Sequence, residues 1–216
     1  MTQEMLIKSA LLKDFGINEP IVIQNIDSEK YYGVSKVQFR KILAYLCADD
    51  KISRAKSGIY YFPAYNPLLN KKTPLSEQKI IQAKFIRSKN EVYGYQTGLS
   101  FANNLGLTTQ VPQVIEIASN KVAKNKVEKL TASFNIYKAK VTVTEENYKI
   151  LQIFDVLNDY NDQIEVTNKT FLKIVSQYLA DVTIPDEMFN QIIDRYPNNV
   201  LKNIFKRHLS TIIEKN

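Results

Sequence analysis

A helix that runs straight into a hairpin is the feature of this sequence that leaves the fewest folds open. Between Val34 and Ala48 the apolar residues Phe39, Ile42, Leu43 and Leu46 recur at helical spacing. They share an arc of about 100° at 3.6 residues per turn, so one face is built to be buried. Ser35, Lys36, Arg40 and Lys41 lie mostly away from that face, and Gln38 sits on its flank. Val37 also points outward. It can meet a thymine methyl or pack on a short helix ahead of it, and the second is the expectation here. The string RAKSGIYYFP, residues 54–63, follows at once. Ile52-Ser53-Arg54 is predicted to pair with Ile59-Tyr60-Tyr61-Phe62 across Ala55-Lys56-Ser57-Gly58, with Gly58 supplying the positive φ such turns need. The turn would carry Arg54, Lys56 and Ser57 outward, while the aromatic strand anchors it to a core.

Upstream, Met5, Leu6, Ala10 and Leu11 predict a helix over 4–14, and Gly16 ends it. Pro20–Ile23 reads as a short strand, and residues 24–30 have room for one or two helical turns. Helix, strand, short helix, helix, hairpin is the order of a winged helix-turn-helix. In that fold the last helix enters the major groove and the hairpin rides along the backbone. Val34–Ala48 is then the reading helix, with Lys36, Arg40 and Lys41 as its basic face and Gln38 within reach of a base edge.

Charge agrees with this placement. Residues 1–90 hold 15 Lys/Arg and 8 Asp/Glu, a net of +7, whereas residues 91–216 hold 14 of each. Residues 30–89 are sharper still, with 13 basic and 3 acidic side chains. A basic module joined to a neutral one suggests a polyanion for the first part only. Ordinary solvating lysines are the plain alternative.

The segment AYNPLLNKKTP, residues 64–74, is a linker by composition. The expected organisation is a winged helix over 1–66, a linker over 67–75 and a second domain over 76–216. In that domain Ser76 is placed to cap a helix to about Ser88. Tyr95–Leu105 reads as a short helix stopped by Gly106, Gln113–Ala118 as a strand, and Phe134–Val143 as one strand or two. Thr144 is read as the cap of a buried helix to about Tyr160, and three more helices are predicted over about 168–180, 186–194 and 198–214. The fold class is therefore α+β: an N-terminal winged helix-turn-helix, then an α+β domain with a small sheet and a helical C-terminus.

Missing chemistry narrows the function. Cys47 is the lone cysteine, which excludes an internal disulfide and a cysteine-based zinc site. It is expected to be a mostly buried thiol. His208 is the lone histidine, set in Lys206-Arg207-His208, and reads as a surface residue rather than a catalytic one. Six scattered glycines make no phosphate loop. Asp155, Asp159 and Asp162 fall at i, i+4 and i+7, and a solvated polar face explains them as well as a magnesium site does. Glu116 and Lys121 have the wrong spacing for a nuclease pair. No catalysis, metal or cofactor is expected. The N-terminus does not read as a signal peptide and no stretch reads as a membrane span, so a cytoplasmic protein is expected. The polar string Asn103-Asn104 to Thr108-Thr109-Gln110 is either a binding surface or a loop that satisfies its own backbone.

KSGIYYFPAYNPLL, followed by YGYQTGLSFANNLGLTTQVPQVIEIASN, resembles the AbiEi family of bacterial antitoxins from type IV toxin–antitoxin and abortive-infection systems. The resemblance covers about residues 5–160 and is most specific around NLGLTTQVP. It implies a winged helix that represses its own promoter in phage-defence operons. It also implies a second domain that counters a nucleotidyltransferase-like toxin, with no direct contact required. Ser35, Lys36, Gln38, Arg40 and Lys41 would then be the DNA-reading helix, with Arg54, Lys56 and Ser57 in the wing. Asn103, Asn104, Thr108, Thr109 and Gln110 match the family's motif without an assigned role. Double-stranded DNA is thus the expected partner. RNA or a protein held by the basic domain is the alternative, and a nucleic-acid-processing enzyme is a third reading that the missing motifs oppose.

Overall fold

The structure, a computed structural model, describes residues 2–89, 91–123 and 128–213. The fold is α+β. The chain divides into two compact units, Met1–Lys84 and Phe85–Asn216. Residues 67–75 and the start of the helix after them fall within the first.

In the first unit α1 (Gln3–Phe15) is followed by β1 (Ile21–Val22) and two 3-10 turns, Ile23–Asn25 and Ser28–Lys30. Then come α2 (Lys36–Ala48), β2 (Ser53–Lys56) and β3 (Ile59–Tyr61). The strands form an antiparallel sheet in the order β1-β3-β2, with Ile21 opposite Tyr60 and Ser53 opposite Tyr61. This is the winged-helix arrangement. Its core is one cluster: Ile7 and Leu11 from α1, Phe39, Ile42, Leu43 and Leu46 from α2, and Ile21, Ile52, Tyr60 and Phe62 around the sheet. Each fully buried apolar side chain contributes roughly 1.5–3 kcal/mol, so the four α2 residues fix which face of that helix is left for solvent. Tyr31 closes the corner. Its ring lies 5.5 Å from that of Phe39, and its hydroxyl donates to Asp14 Oδ2 at 2.8 Å.

Two expectations change here. The wing loop is the two-residue turn Ser57-Gly58, not four residues, because Ala55 and Lys56 continue β2 through an irregularity that sets Lys56 opposite Ile59. Gly58 has φ +73°, as a tight turn requires. The stretch read as linker instead forms a second hairpin, β4 (Tyr65–Asn66) with β5 (Lys71–Lys72). Asn66 Oδ1 accepts from Leu68 N and Leu69 N, which folds the turn locally and leaves Leu68 94% exposed. Ser76 caps α3 (Glu77–Ile81) as expected, accepting from Lys79 N at 3.3 Å, and the helix continues as a π-helical turn, Gln82–Ile86.

The second unit opens with β6 (Gly94–Thr97) and α4 (Gly98–Asn104). The span Tyr95–Leu105 is therefore a strand and then a helix, hinged at Gly98 with φ +72°, where a side chain would overlap the Glu116 carboxylate. Next come β7 (Ile115–Ser119), β8 (Glu128–Thr131) and β9 (Phe134–Lys138), giving a sheet in the order β6-β7-β9-β8 with β7 and β9 parallel. β9 stops before Val143. α5 (Tyr148–Asp159) begins later than read from Thr144, because Asn147 Oδ1 accepts from Thr144 N at 2.9 Å and holds the preceding turn. α6 (Asn168–Tyr178), α7 (Asp186–Ile193) and α8 (Asn198–Lys206) follow. The last predicted helix breaks after α8: His208 takes φ 58° and Leu209 N returns to Ile204 O, so α9 (Ser210–Ile213) is a separate turn. α5 lies at the centre of this unit's core with Ile150, Leu151, Phe154 and Leu157 buried, flanked by Phe171, Val175, Ile192, Tyr196 and Val200.

Candidate nucleic-acid interface

The outward face of α2 is exposed along its length. Ser35 Oγ accepts from Gln38 N at 3.2 Å and caps the helix, so Ser35 has a structural task. Lys36, Arg40 and Lys41 are exposed. Gln38 is exposed too, but its Nε2 donates to Gln3 Oε1 on α1 at 3.1 Å, and reaching a base edge would break that bond. Val37 is 62% exposed, so it does not pack on the preceding turn as expected; that element is a three-residue 3-10 turn, too short to cover it. Tyr45, about two turns further along, is 59% exposed. Cys47 is half-buried against the core.

On the wing, Arg54 is exposed on β2 with its guanidinium 5.9 Å from the Tyr60 ring centroid, and its Nη2 donates to Ser57 Oγ at 3.4 Å. Lys56 is half-buried at the end of the strand. Among the described residues none of Lys36, Arg40, Lys41, Arg54 and Lys56 forms an ion pair. The carboxylates that follow α2 are taken by other lysines: Asp49 lies 3.8 Å from Lys51, and Asp50 pairs with Lys72 of the second hairpin. α2 itself contains no acidic residue. Lys36, Arg40, Lys41 and Arg54 therefore face solvent without an ion-pair partner among the described residues.

The polar string of the second unit behaves differently. Asn103 Nδ2 donates to Thr108 O at 3.2 Å, and Thr108 Oγ1 accepts from Gln110 N at 3.3 Å. Thr109 donates both its amide and its hydroxyl to Glu165 Oε2, each at 2.7 Å, and Gln110 Nε2 reaches Glu165 Oε1 at 3.4 Å. The Thr109 hydroxyl and amide hold the Glu165 carboxyl below its ordinary range. Thr108 is buried and Asn104 is exposed. The string is a loop strapped down by its own side chains and one carboxylate.

A heavily bonded polar group of this unit is one that sequence reading placed on a solvated face. Asp155 is 4% exposed. Its Oδ2 accepts from Tyr95 OH at 2.9 Å and Thr97 Oγ1 at 3.0 Å, and its Oδ1 accepts from Tyr196 OH and Lys140 Nζ, both at 2.8 Å. Lys140 also lies 3.4 Å from Asp159. Burial pulls the Lys140 ammonium down, but the attraction of Asp155 and then Asp159 outweighs it and the net shift is upward. Asp162 is exposed, so the three aspartates do not share an environment. Among the described residues no group of three or more His, Cys, Asp or Glu side chains could hold a metal ion. Glu116 accepts from Tyr137 OH at 3.1 Å and Tyr160 OH at 2.5 Å, while Lys121 lies over the Tyr93 ring at 4.5 Å. His208 is exposed in the turn after α8, whereas its neighbour Arg207 is buried and bonds Asn161 and Asn168. No helix of the described residues is long and apolar enough to cross a membrane.

The sequence profile of a family of unknown function, DUF6088, matches residues 22–181. The chain belongs to that family. Among curated proteins none matches the chain. The DUF6088 match takes in α2, the wing, the Thr109–Glu165 strap and Asp155. It starts after α1 and stops before Tyr196, so α7 and α8, which complete the second unit's core, lie outside it.

Proposed function

We propose that this DUF6088 member binds double-stranded DNA through α2 and the β2–β3 wing, represses its own promoter, and serves as the antitoxin of a type IV toxin–antitoxin pair. The observation that carries the DNA reading is the set of five cations on the helix and wing of a winged helix, none with an ion-pair partner among the described residues. Arg and Lys on such elements contact phosphates, which supply most of the affinity, while groove-facing side chains of the helix supply sequence preference. Among cations Arg54 is the best prepared, because Ser57 and the Tyr60 ring hold its guanidinium. The antitoxin role rests on the resemblance in residues 93–120.

Filter binding of the full chain tests this, using duplex DNA from upstream of its own gene and RNA of equal length. Duplex DNA should bind tighter, with steep salt dependence. Arg54→Ala or Lys56→Ala should each weaken binding to every duplex alike and reduce the slope of log affinity against log salt by about one. Tighter RNA binding, or a change in sequence preference with the slope intact, would overturn the assignment.

A further inference from the structure

Three of the four outermost positions of α2 are apolar where a solvated helix would carry charge. At about 100° per residue, Val37, Lys41, Ala44 and Ala48 lie within about 60° of one another and opposite Phe39, Ile42, Leu43 and Leu46. Val37 is 62% exposed, and Ala44 and Ala48 are exposed with it. A lone exposed valine needs no explanation. This one sits on a strip with two alanines, bordered by Arg40 on one side and by Tyr45 on the other, on a helix without a carboxylate. Val is also a poorer helix former than the Glu, Gln or Lys that would suit water there. The polar side chain best placed to read a base, Gln38, is held by Gln3.

Accepting the DNA reading above, we propose that α2 recognises its operator by the 5-methyl groups of thymine, with Val37 as the principal contact and Ala44 beside it. Positive charge bordering the strip matches the phosphates that wall the major groove, and thymine is the base that presents a methyl there. The short side chains let the helix sit deep enough for contact. Arg40 and Lys41 supply phosphate binding, and the apolar strip supplies the preference for A·T pairs at defined positions.

Deoxyuridine removes the methyl and nothing else from the duplex. The full chain is titrated against its promoter duplex with thymines replaced by deoxyuridine one at a time. At one or more positions affinity should drop about fourfold, the worth of one buried methyl-sized group. Val37→Ala should abolish that drop at its own position, leaving the salt slope at the wild-type value. Lys41→Ala should do the reverse, flattening the slope and keeping the uridine penalty. The inference falls if fully uridine-substituted duplex binds as tightly as the natural one, or if Val37→Ala retains every penalty. Failure of the wild type to prefer duplex DNA over RNA would remove the DNA reading, and this inference with it.

Discussion

Asp155 shows how much one residue's worth depends on its surroundings. Each of its oxygens takes two donors, so the carboxylate is saturated although it lies among apolar side chains. Asp155→Ala strips partners from Tyr95 and Tyr196, both buried, and from Thr97. Urea unfolding should show a loss of about 3–5 kcal/mol, the range for breaking a buried pair. Lys140→Met should cost less, because Lys140 is partly exposed and three hydroxyls remain on the carboxylate. Equal losses would mean that the ion pair, not the hydroxyl cage, holds the aspartate. Asp155 escaped sequence reading for a physical reason. Its i+4 and i+7 aspartates imitate a polar stripe, and the donors that let it be buried come from positions 95, 97, 140 and 196, far away in sequence.

Elements with strong periodicity were legible. The arc of Phe39, Ile42, Leu43 and Leu46 defined both the extent of α2 and its free face, and the exposed cations of the candidate interface followed from it. β6 was not legible. Gly94, Tyr95 and Thr97 are buried from both sides, so no alternation marked the strand, and only the left-handed Gly98 ends it. β4 and β5 are held by two residue pairs and an asparagine turn, too little ladder to leave a pattern in composition. The helices and strands around Asp155 also set a pH response. Burial first, and the Asp155 charge second, push the Tyr95 and Tyr196 hydroxyls far above their ordinary value, and burial does the same for Tyr160 and Tyr178. These groups stay protonated in the folded chain, while in the unfolded chain they ionise near their ordinary value of 10.0. The unfolded state then binds fewer protons, so stability is fully present below that pH and falls as pH rises through and above it. Lys140, held above its ordinary value, adds to the same decline. Urea midpoints should drop steeply above about pH 10, and tyrosinate absorbance from the buried rings should rise only together with the loss of structure. Native protein with every tyrosine ionised would contradict this.

At the scale of the whole molecule, two units with separate cores carry different chemistry. The first holds 13 Lys/Arg against 8 Asp/Glu, and the second 16 against 14. Under the proposed function the two tasks can be parted by mutation. Arg40→Ala with Lys41→Ala should release a promoter reporter while cells expressing the variant survive the toxin, since both side chains are exposed. Loss of protection at unchanged protein level would show that repression and neutralisation share a surface. The long reach of the Asp155 cage also bears on how the chain is made. Tyr95 precedes Asp155 by 60 residues and Tyr196 follows it by 41. On a ribosome, the winged helix has every residue it needs once Lys84 has emerged, whereas the centre of the second unit must wait for Tyr196. Under the proposed function, a nascent chain is thus ready to grip its promoter well before its other half can close.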